Sequence, residues 1–357
     1  MIEYKRSIVK KIIESNENLQ EILLDIEHPC KKAINYVGLT GYLNINDEIL
    51  VNTTACTLNL GTGGYHYVMG NLNSRGNKLI GDGHGMKLKY TPSQLKVLFS
   101  EEQASPFSRH FHRNLDLNGK LIFTAELHSM LMPMCAYLKY VGPKDIKIAC
   151  IITDHGALPV RFSKSIALLK SRGLLDRIIS TGNAFGGDHE CVNIYTALQM
   201  AANILDMDVI IITMGPGIMG TGTPFGFSGL EFGLYLEFCY IKKSIPIYVP
   251  RISFCDPRKR HYGISHHFIN VFCEIIQSPL PIILPHTDLS RMGHMINQLR
   301  ITSLLKKHPI IIRKGKGIIK SLREYGLDPI TMGRGFNDNP EFFHALGASV
   351  EYGLELL

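Results

Sequence analysis

Five groups of polar residues in this chain come directly after apolar runs, and their types suit proton transfer and the binding of an anion. His128 and Ser129 follow LIFTAE, Asp154 and His155 follow IACIIT, and Gly182, Asn183, Asp188, His189 and Glu190 follow RIIS. Asp256, Arg258, Arg260 and His261 follow PIYVPRIS, and MGPGIMGTGTPFGFSG, Met214 to Gly229, follows MDVIIIT. A carboxylate that ends an apolar strand is costly to bury unless it is paired or used. Asp154, with Asp188 as its alternate, is therefore expected to be a base or a metal ligand, and His128, His189 or His261 a proton carrier. The guanidinium forks of Arg258 and Arg260 match a phosphate or carboxylate. Each group also has a plainer reading. Asp188 would N-cap a helix over ECVNIYTALQMAANILD, His128 would cap another helix, and residues 258–260 would form an exposed basic turn.

Gly215, Gly217 and Gly220 have the G-x-G-x-x-G spacing of a dinucleotide-binding turn, which works only where a helix begins at once and offers its free amides to the pyrophosphate. Here Ser228-Gly-Leu-Glu231 reads as a capping box, with Phe227 and Phe232 as its hydrophobic staple. The helix is then expected to start at Ser228, after a loop of about a dozen residues, longer than the usual strand-to-helix connection. The next strand ends in Arg251 where an acidic residue would be needed for NAD, so NAD is disfavoured as a cofactor. What remains is a segment at the carboxyl end of a strand in which Gly215, Gly217, Gly220, Thr221, Gly222 and Thr223 offer amide and hydroxyl donors to an anion.

His128, Asp154, Asp188, His189, His261, His266 and His267 supply ligand types for a divalent metal, but no H-E-x-x-H or C-x-x-C spacing selects one, so the metal stays unknown. Ser265 reads as an N-cap with Ile264 and Ile269 as its staple. That puts His266 and His267 in a first helical turn, where the neutral imidazole is favoured. Eight cysteines, at 30, 56, 135, 150, 191, 239, 255 and 273, are spread through the chain. Most lie in apolar runs, which favours free thiols in a reducing compartment over a disulfide frame or structural zinc. Cys255, beside Asp256 and Arg258, reads as a plain loop cysteine. No G-x-S-x-G elbow supports a nucleophilic serine.

These groups need elements to position them, and the chain has two grammars. From residue 1 to 90, SIVKKIIES, NLQEILLDI, KKAINYVGL, INDEILVNTT and GGYHYVMGNL are short β-leaning runs split by Asn, Gly and Asp, the pattern of a small antiparallel β-barrel. Thr91-Pro92 with Gln94 has the form of a helix start and opens the second part, residues 91–357. There KLIFTAEL, IKIACIITD, RIIST, MDVIIITMG, IPIYVPRIS, LPIILPH and PIIIRKG alternate with amphipathic stretches such as HSMLMPMCAYLKYV and RFSKSIALLKSRG. Nearly all-apolar runs separated by helices predict a mostly parallel, doubly wound sheet, with a partial barrel as the alternative. GTGGYHYV (Gly61 to Val68), GDGHGMKLKYTP (Gly81 to Pro92) and Met332-Gly-Arg-Gly335 are further glycine-flanked segments that could reach a cleft.

Apolar residues make up 45% of the 357 and charged residues 19%, enough to build a sizeable core. The net charge of +7 is spread along the chain. It favours anionic partners but lacks the basic stripe that nucleic acid asks for. No signal peptide or membrane-length apolar run is visible, so a cytoplasmic protein is expected. A homo-oligomer is left open.

Taken together, NTTACTLNLGTGGYHYV, GHGMKLKYTPSQ, ELHSMLMPM, TDHGALPVRFS, GNAFGGDHECVN, MGPGIMGTGTPFGFSG, CDPRKRHYGISHH and TMGRG, in this order, resemble the bacterial DUF3866 family of unknown function over nearly the whole chain. The resemblance implies a bacterial cytoplasmic protein and brings no activity, cofactor or catalytic residue with it. That family tends to carry a glycine where His155 stands, which makes His155 a poor catalytic candidate. The residues themselves point to an enzyme of hydrolase or transferase type acting on a small phosphate- or carboxylate-bearing metabolite. The alternative is a regulatory protein that senses a nucleotide without turning it over.

Overall fold

The computed structural model describes residues 1–60, 64–76 and 78–357, in two compact units, Met1–Val97 and Leu98–Leu357. In the first, β1 (Tyr4–Ser15), β2 (Leu19–Asp25), β3 (Lys32–Tyr36), β4 (Glu48–Asn52) and β5 (His66–Asn71) close into a barrel in the order β1-β2-β3-β5-β4. All pairs are antiparallel except β3 with β5, which run parallel with Ala33 opposite His66. Inward-facing Val9, Ile22, Leu24, Ala33, Ile49, Val51 and Val68 fill the interior, as the period of two requires. The four-residue helices α1 (Val37–Thr40) and α2 (Thr54–Thr57) lie between strands. Of the GTGGYHYV motif, Gly61, Thr62 and Gly63 fall outside the described residues.

A hairpin of β6 (Gly85–Lys87) and β7 (Leu95–Val97) completes this unit, and it corrects the helix start expected at Thr91. The Thr91 hydroxyl donates to Leu88 O at 2.7 Å and the Gln94 amide bonds back to Thr91 O at 3.2 Å, so the segment closes as a turn. Threonine hydroxyls serve turns as readily as caps.

The second unit holds a six-stranded, all-parallel sheet. Its elements are β8 (Leu121–Ala125), α3 (Leu131–Val141), β9 (Ile148–Thr153), α4 (Lys164–Ser171), β10 (Arg177–Thr181), β11 (His189–Cys191), α5 (Ile194–Gln199), β12 (Val209–Met214), α6 (Phe232–Ile241) and β13 (Ile245–Tyr248). Their order across the sheet is β11-β10-β9-β12-β8-β13. Every residue of β8, β9 and β12 is buried, which is why these strands read as unbroken apolar runs. Neighbouring residues point to opposite faces: Leu121, Phe123 and Ala125 enter one apolar cluster and Ile122 the other.

Beyond the sheet come an antiparallel ribbon of β14 (Ile252–Ser253) and β15 (Gly263–Ile264), then α7 (His266–Asn270). The expected strands LPIILPH and PIIIRKG become β16 (Ile282–Pro285) and β17 (Ile310–Arg313), but they pair with each other and stay outside the six-stranded sheet. α8 (Leu289–Ile301) joins them, and α9 (Ile318–Glu324) and α10 (Pro340–Leu356) end the chain. No helix among the described residues is long and apolar enough to cross a membrane.

Two helix starts differ from expectation. α6 begins at Phe232, since the Ser228 hydroxyl accepts the Met219 amide at 3.1 Å and the Glu231 carboxylate bonds Tyr235 and His155. Neither side chain is then available for a capping box. α5 begins after Asn193, whose side chain and Thr196 form the box there, while residues 189–191 are strand.

Candidate functional site

The helices that follow β8 and β9, α3 and α4, bury their side chains in one cluster, while α6, after β12, buries its own in the other. β12 lies between β8 and β9. The carboxyl ends of these strands form the edge at which open parallel sheets usually bind ligands. Residues 215–231, between β12 and α6, run across this edge. Near its start, a Cβ on either Gly156 or Gly215 would collide with the backbone of the other loop, and the Ala157 amide donates to Pro216 O at 2.8 Å. Glycine at both positions lets the two loops pack backbone to backbone.

Farther along, the segment covers a buried polar cluster. Glu126 directly follows β8 and is fully buried, next to the Tyr248 hydroxyl. Its Oε1 lies 3.7 Å from Nδ1 of His267, within ion-pair range but too long for a hydrogen bond. His267 and His266 occupy the first turn of α7, where the Ser265 hydroxyl accepts the His267 amide. Neither ring nitrogen of His267 has a hydrogen-bond partner among the described residues, while His266 lies against the Arg260 backbone. The Tyr248 hydroxyl, at the end of β13, is buried beside the Glu126 carboxylate. Phe227 stacks on His267, centroids 4.2 Å apart and planes 4° apart. A Cβ on Gly220 would stand 3.0 Å from His267 Nε2, and one on Gly229 3.5 Å from the Glu126 Cβ.

His261 completes the cluster. Arg260 Nε donates to its Nε2 at 3.3 Å, which fixes the proton on Nδ1 for donation to the Ser265 hydroxyl at 2.9 Å. Burial, then the charges of Arg251 and Arg258, lowers the His261 pKa to about 3. Burial, then His267 and Arg260, lowers that of His266 to about 4. Both rings are thus neutral at physiological pH. Arg251 is 4% exposed and holds Asp256 at 3.1 Å; Arg258 grips the same carboxylate through Nε at 2.9 Å and a terminal nitrogen at 2.8 Å. These bonds keep the Asp256 carboxyl far below the usual range, and the Tyr248 pKa is pushed well up by burial and the nearby Glu126 charge.

The sequence-derived candidates divide sharply. His261 and Arg260 join the cluster, and Arg260 also approaches the loop, 3.3 Å from where a Cβ on Gly222 would stand. Arg258 is engaged by Asp256. The amides of Gly217, Gly220 and Gly222, all at exposed positions, meet no acceptor among the described residues. The hydroxyls of Thr221 and Thr223, by contrast, lie 2.7 Å apart and bond within the loop, Thr221 Oγ1 to Gly226 O at 3.0 Å. His128 braces two elements: Nδ1 meets Met214 O at 2.9 Å and Nε2 meets the Ser163 hydroxyl at 2.6 Å. Burial lowers its pKa to about 4. Asp154 accepts the Asn183 amide at 3.0 Å, supporting the turn after β10.

Asp188 and His189 were expected at the carboxyl edge and stand at the opposite one. β11 runs parallel to β10 with His189 beside Ile179, so the chain has already returned to the amino ends. There Asp188 accepts from Lys170 Nζ and the Ile178 amide, each at 2.9 Å. Two features escaped the sequence reading. Glu126 was taken as the tail of an apolar run; a carboxylate continuing a fully apolar strand was its signal. His155, set aside on resemblance, forms a pair with Glu231 at 2.9 Å, and Tyr235 donates to the same carboxylate at 2.8 Å.

Candidate ligating atoms of His261, His266 and His267 lie within 4.8 Å of one another, so the three imidazoles could hold a transition metal. Around them Arg251, Arg258 and Arg260 outnumber Glu126 and Asp256, a field that opposes a dication and favours an anion.

The chain belongs to the family described as protein of unknown function (DUF3866), whose model matches residues 32–350. No curated protein and no solved structure matches it.

Proposed function

We propose that this member of the DUF3866 family is an enzyme that binds a small anionic metabolite, bearing phosphate or carboxylate, and acts on it by hydrolysis or group transfer. The sheet is read as doubly wound, with the ligand at its carboxyl edge. One observation carries the proposal. Among the described residues, the imidazole of His267 is buried with neither ring nitrogen bonded, beside Glu126, Tyr248 and His266 and under a loop in which the amides of Gly217, Gly220 and Gly222 meet no protein acceptor, next to Arg260. Each unpaired buried group costs about 1–3 kcal/mol, which a bound ligand would offset.

In this reading Arg260 and the amides of Gly217, Gly220 and Gly222 hold the anion. His267 takes a proton from an attacking water or acceptor hydroxyl, and Glu126 behind it stabilises the imidazolium that forms. Burial, with the positive charges nearby, keeps His261 and His266 neutral until the substrate's charge arrives; His266 then takes up a proton from solvent and gives it to the leaving group.

Thermal shift of the full chain with inorganic phosphate, pyrophosphate and small carboxylates, followed by an aryl phosphate hydrolysis assay, tests the proposal. Stabilisation by an anion should drop sharply in Arg260→Ala. Turnover should disappear in His267→Ala while anion binding persists. Stabilisation without turnover of any probe would reassign the site to ligand sensing, and no stabilisation by any anion would overturn the binding claim itself.

A further inference from the structure

The barrel unit contains a second cluster, partly buried and of different chemistry. Cys30 lies just before β3, Cys56 in α2 and His66 at the start of β5, and one potential ligand atom from each lies within 4.8 Å of the others. Three segments far apart in sequence thus bring two sulfurs and an imidazole together. His66 is fully buried. Its Nε2 lies 3.0 Å from Cys30 O, and a carbonyl oxygen can only accept, so Nε2 carries the proton. Nδ1 is then a bare lone pair, buried and without a partner among the described residues. An imidazole held by a bond from one nitrogen to a backbone carbonyl, with the other nitrogen free, is the arrangement of a metal-binding histidine.

We propose that Cys30, Cys56 and His66 form a binding site for a zinc-type cation in the barrel, with the fourth position open to water or another donor. Thiolate and imidazole together select zinc over hard cations such as magnesium or calcium. The cysteines are free thiols in the structure, and Cys30 Sγ lies 2.9 Å from Gly64 O and 3.5 Å from Lys32 O. Binding exchanges two S–H bonds for two metal–sulfur bonds and releases two protons to solvent. A disulfide between Cys30 and Cys56 would leave the His66 Nδ1 lone pair unexplained.

The site has a structural use. The described barrel core comprises nine buried apolar residues, and small domains with small cores commonly need a metal or disulfide staple. A cation held by these three residues would tie α2 and the segment before β3 to the start of β5, where β3 and β5 pair in parallel.

Cobalt(II) titration of the reduced, chelator-treated full chain tests this. A thiolate-to-cobalt charge-transfer band should saturate at one equivalent and vanish on addition of zinc. Cys30→Ser and Cys56→Ser should each lose most of the band, and His66→Ala should weaken binding at least tenfold. His267→Ala, in the other unit, should leave the band intact, which separates this site from the histidine cluster. If a variant fails to fold, thiol protection answers instead: zinc should slow reagent modification of Cys30 and Cys56 but not of exposed Cys255. The absence of a charge-transfer band with both thiols reactive, or a Cys30–Cys56 disulfide found by mass spectrometry in the protein as isolated, would overturn the proposal.

Discussion

The barrel and the sheet unit each bury imidazoles with unpartnered nitrogens, but the charges around those rings differ. In the barrel, His66 faces two thiols that can shed protons and become ligands. In the sheet unit, His261, His266 and His267 sit among Arg251, Arg258 and Arg260, with Glu126 and Asp256 only partly balancing them. The same side chain, left with a bare ring nitrogen at His66 and at His267, is thereby prepared for a cation in one place and an anion in the other. A cluster of histidines does not by itself name its ligand; the neighbouring charges do.

The contrast is broken most forcefully at Arg251. Its buried bond to Asp256, with side chains 4% and 1% exposed, makes Arg251→Ala the most disruptive change expected, at about 3–5 kcal/mol of stability in urea unfolding. In the folded fraction the variant should also bind phosphate more weakly. If it destabilises the protein without altering anion affinity, Arg251 is scaffold and the field argument loses its strongest charge.

Acid sharpens the same difference. His128, His261 and His266 titrate near 6.5 when unfolded and at about 4, 3 and 4 when folded. Between those values the unfolded chain binds more protons. Stability is therefore complete above pH 6.5 and falls as pH drops, by up to about 1.4 kcal/mol per pH unit for each ring. A bound anion would raise the folded pKa of His261 and His266 while His128, bonded to Ser163 and Met214, stays as it is. Phosphate should accordingly flatten part of the decline in a melting series from pH 7 to about 5.

The smallest expected effect is at Gly220. Alanine would add a Cβ 3.0 Å from His267 Nε2, between the loop and the ring. Stability should change by less than about 1 kcal/mol, as at most exposed loop positions. Phosphate affinity should nevertheless fall severalfold in calorimetry. Unchanged affinity would place the anion away from His267.

The barrel strands were legible because period-two alternation survives in a small closed sheet, and β8, β9 and β12 because burial on both faces makes them apolar throughout. β11 was not legible, since three residues reading HEC carry no such signal. Ser228 misled because a serine hydroxyl satisfies a loop amide as well as a helix terminus, and Met219 was the closer donor. Of the site, Ser265 announced the cap that positions His266 and His267, and Arg260 and His261 were named from their types alone. Glu126 and the Cys30–Cys56–His66 cluster depend on contacts between distant segments that spacing along the chain cannot express.

The most direct test is nitrogen NMR of histidine-labelled full-length protein, with zinc and with phosphate added separately. Zinc should move the His66 Nδ1 resonance and leave His266 and His267 in place; phosphate should move His261, His266 and His267 and leave His66. Zinc shifting the His266 and His267 resonances, or phosphate shifting none of the three, would contradict the assignment of a cation to one imidazole cluster and an anion to the other.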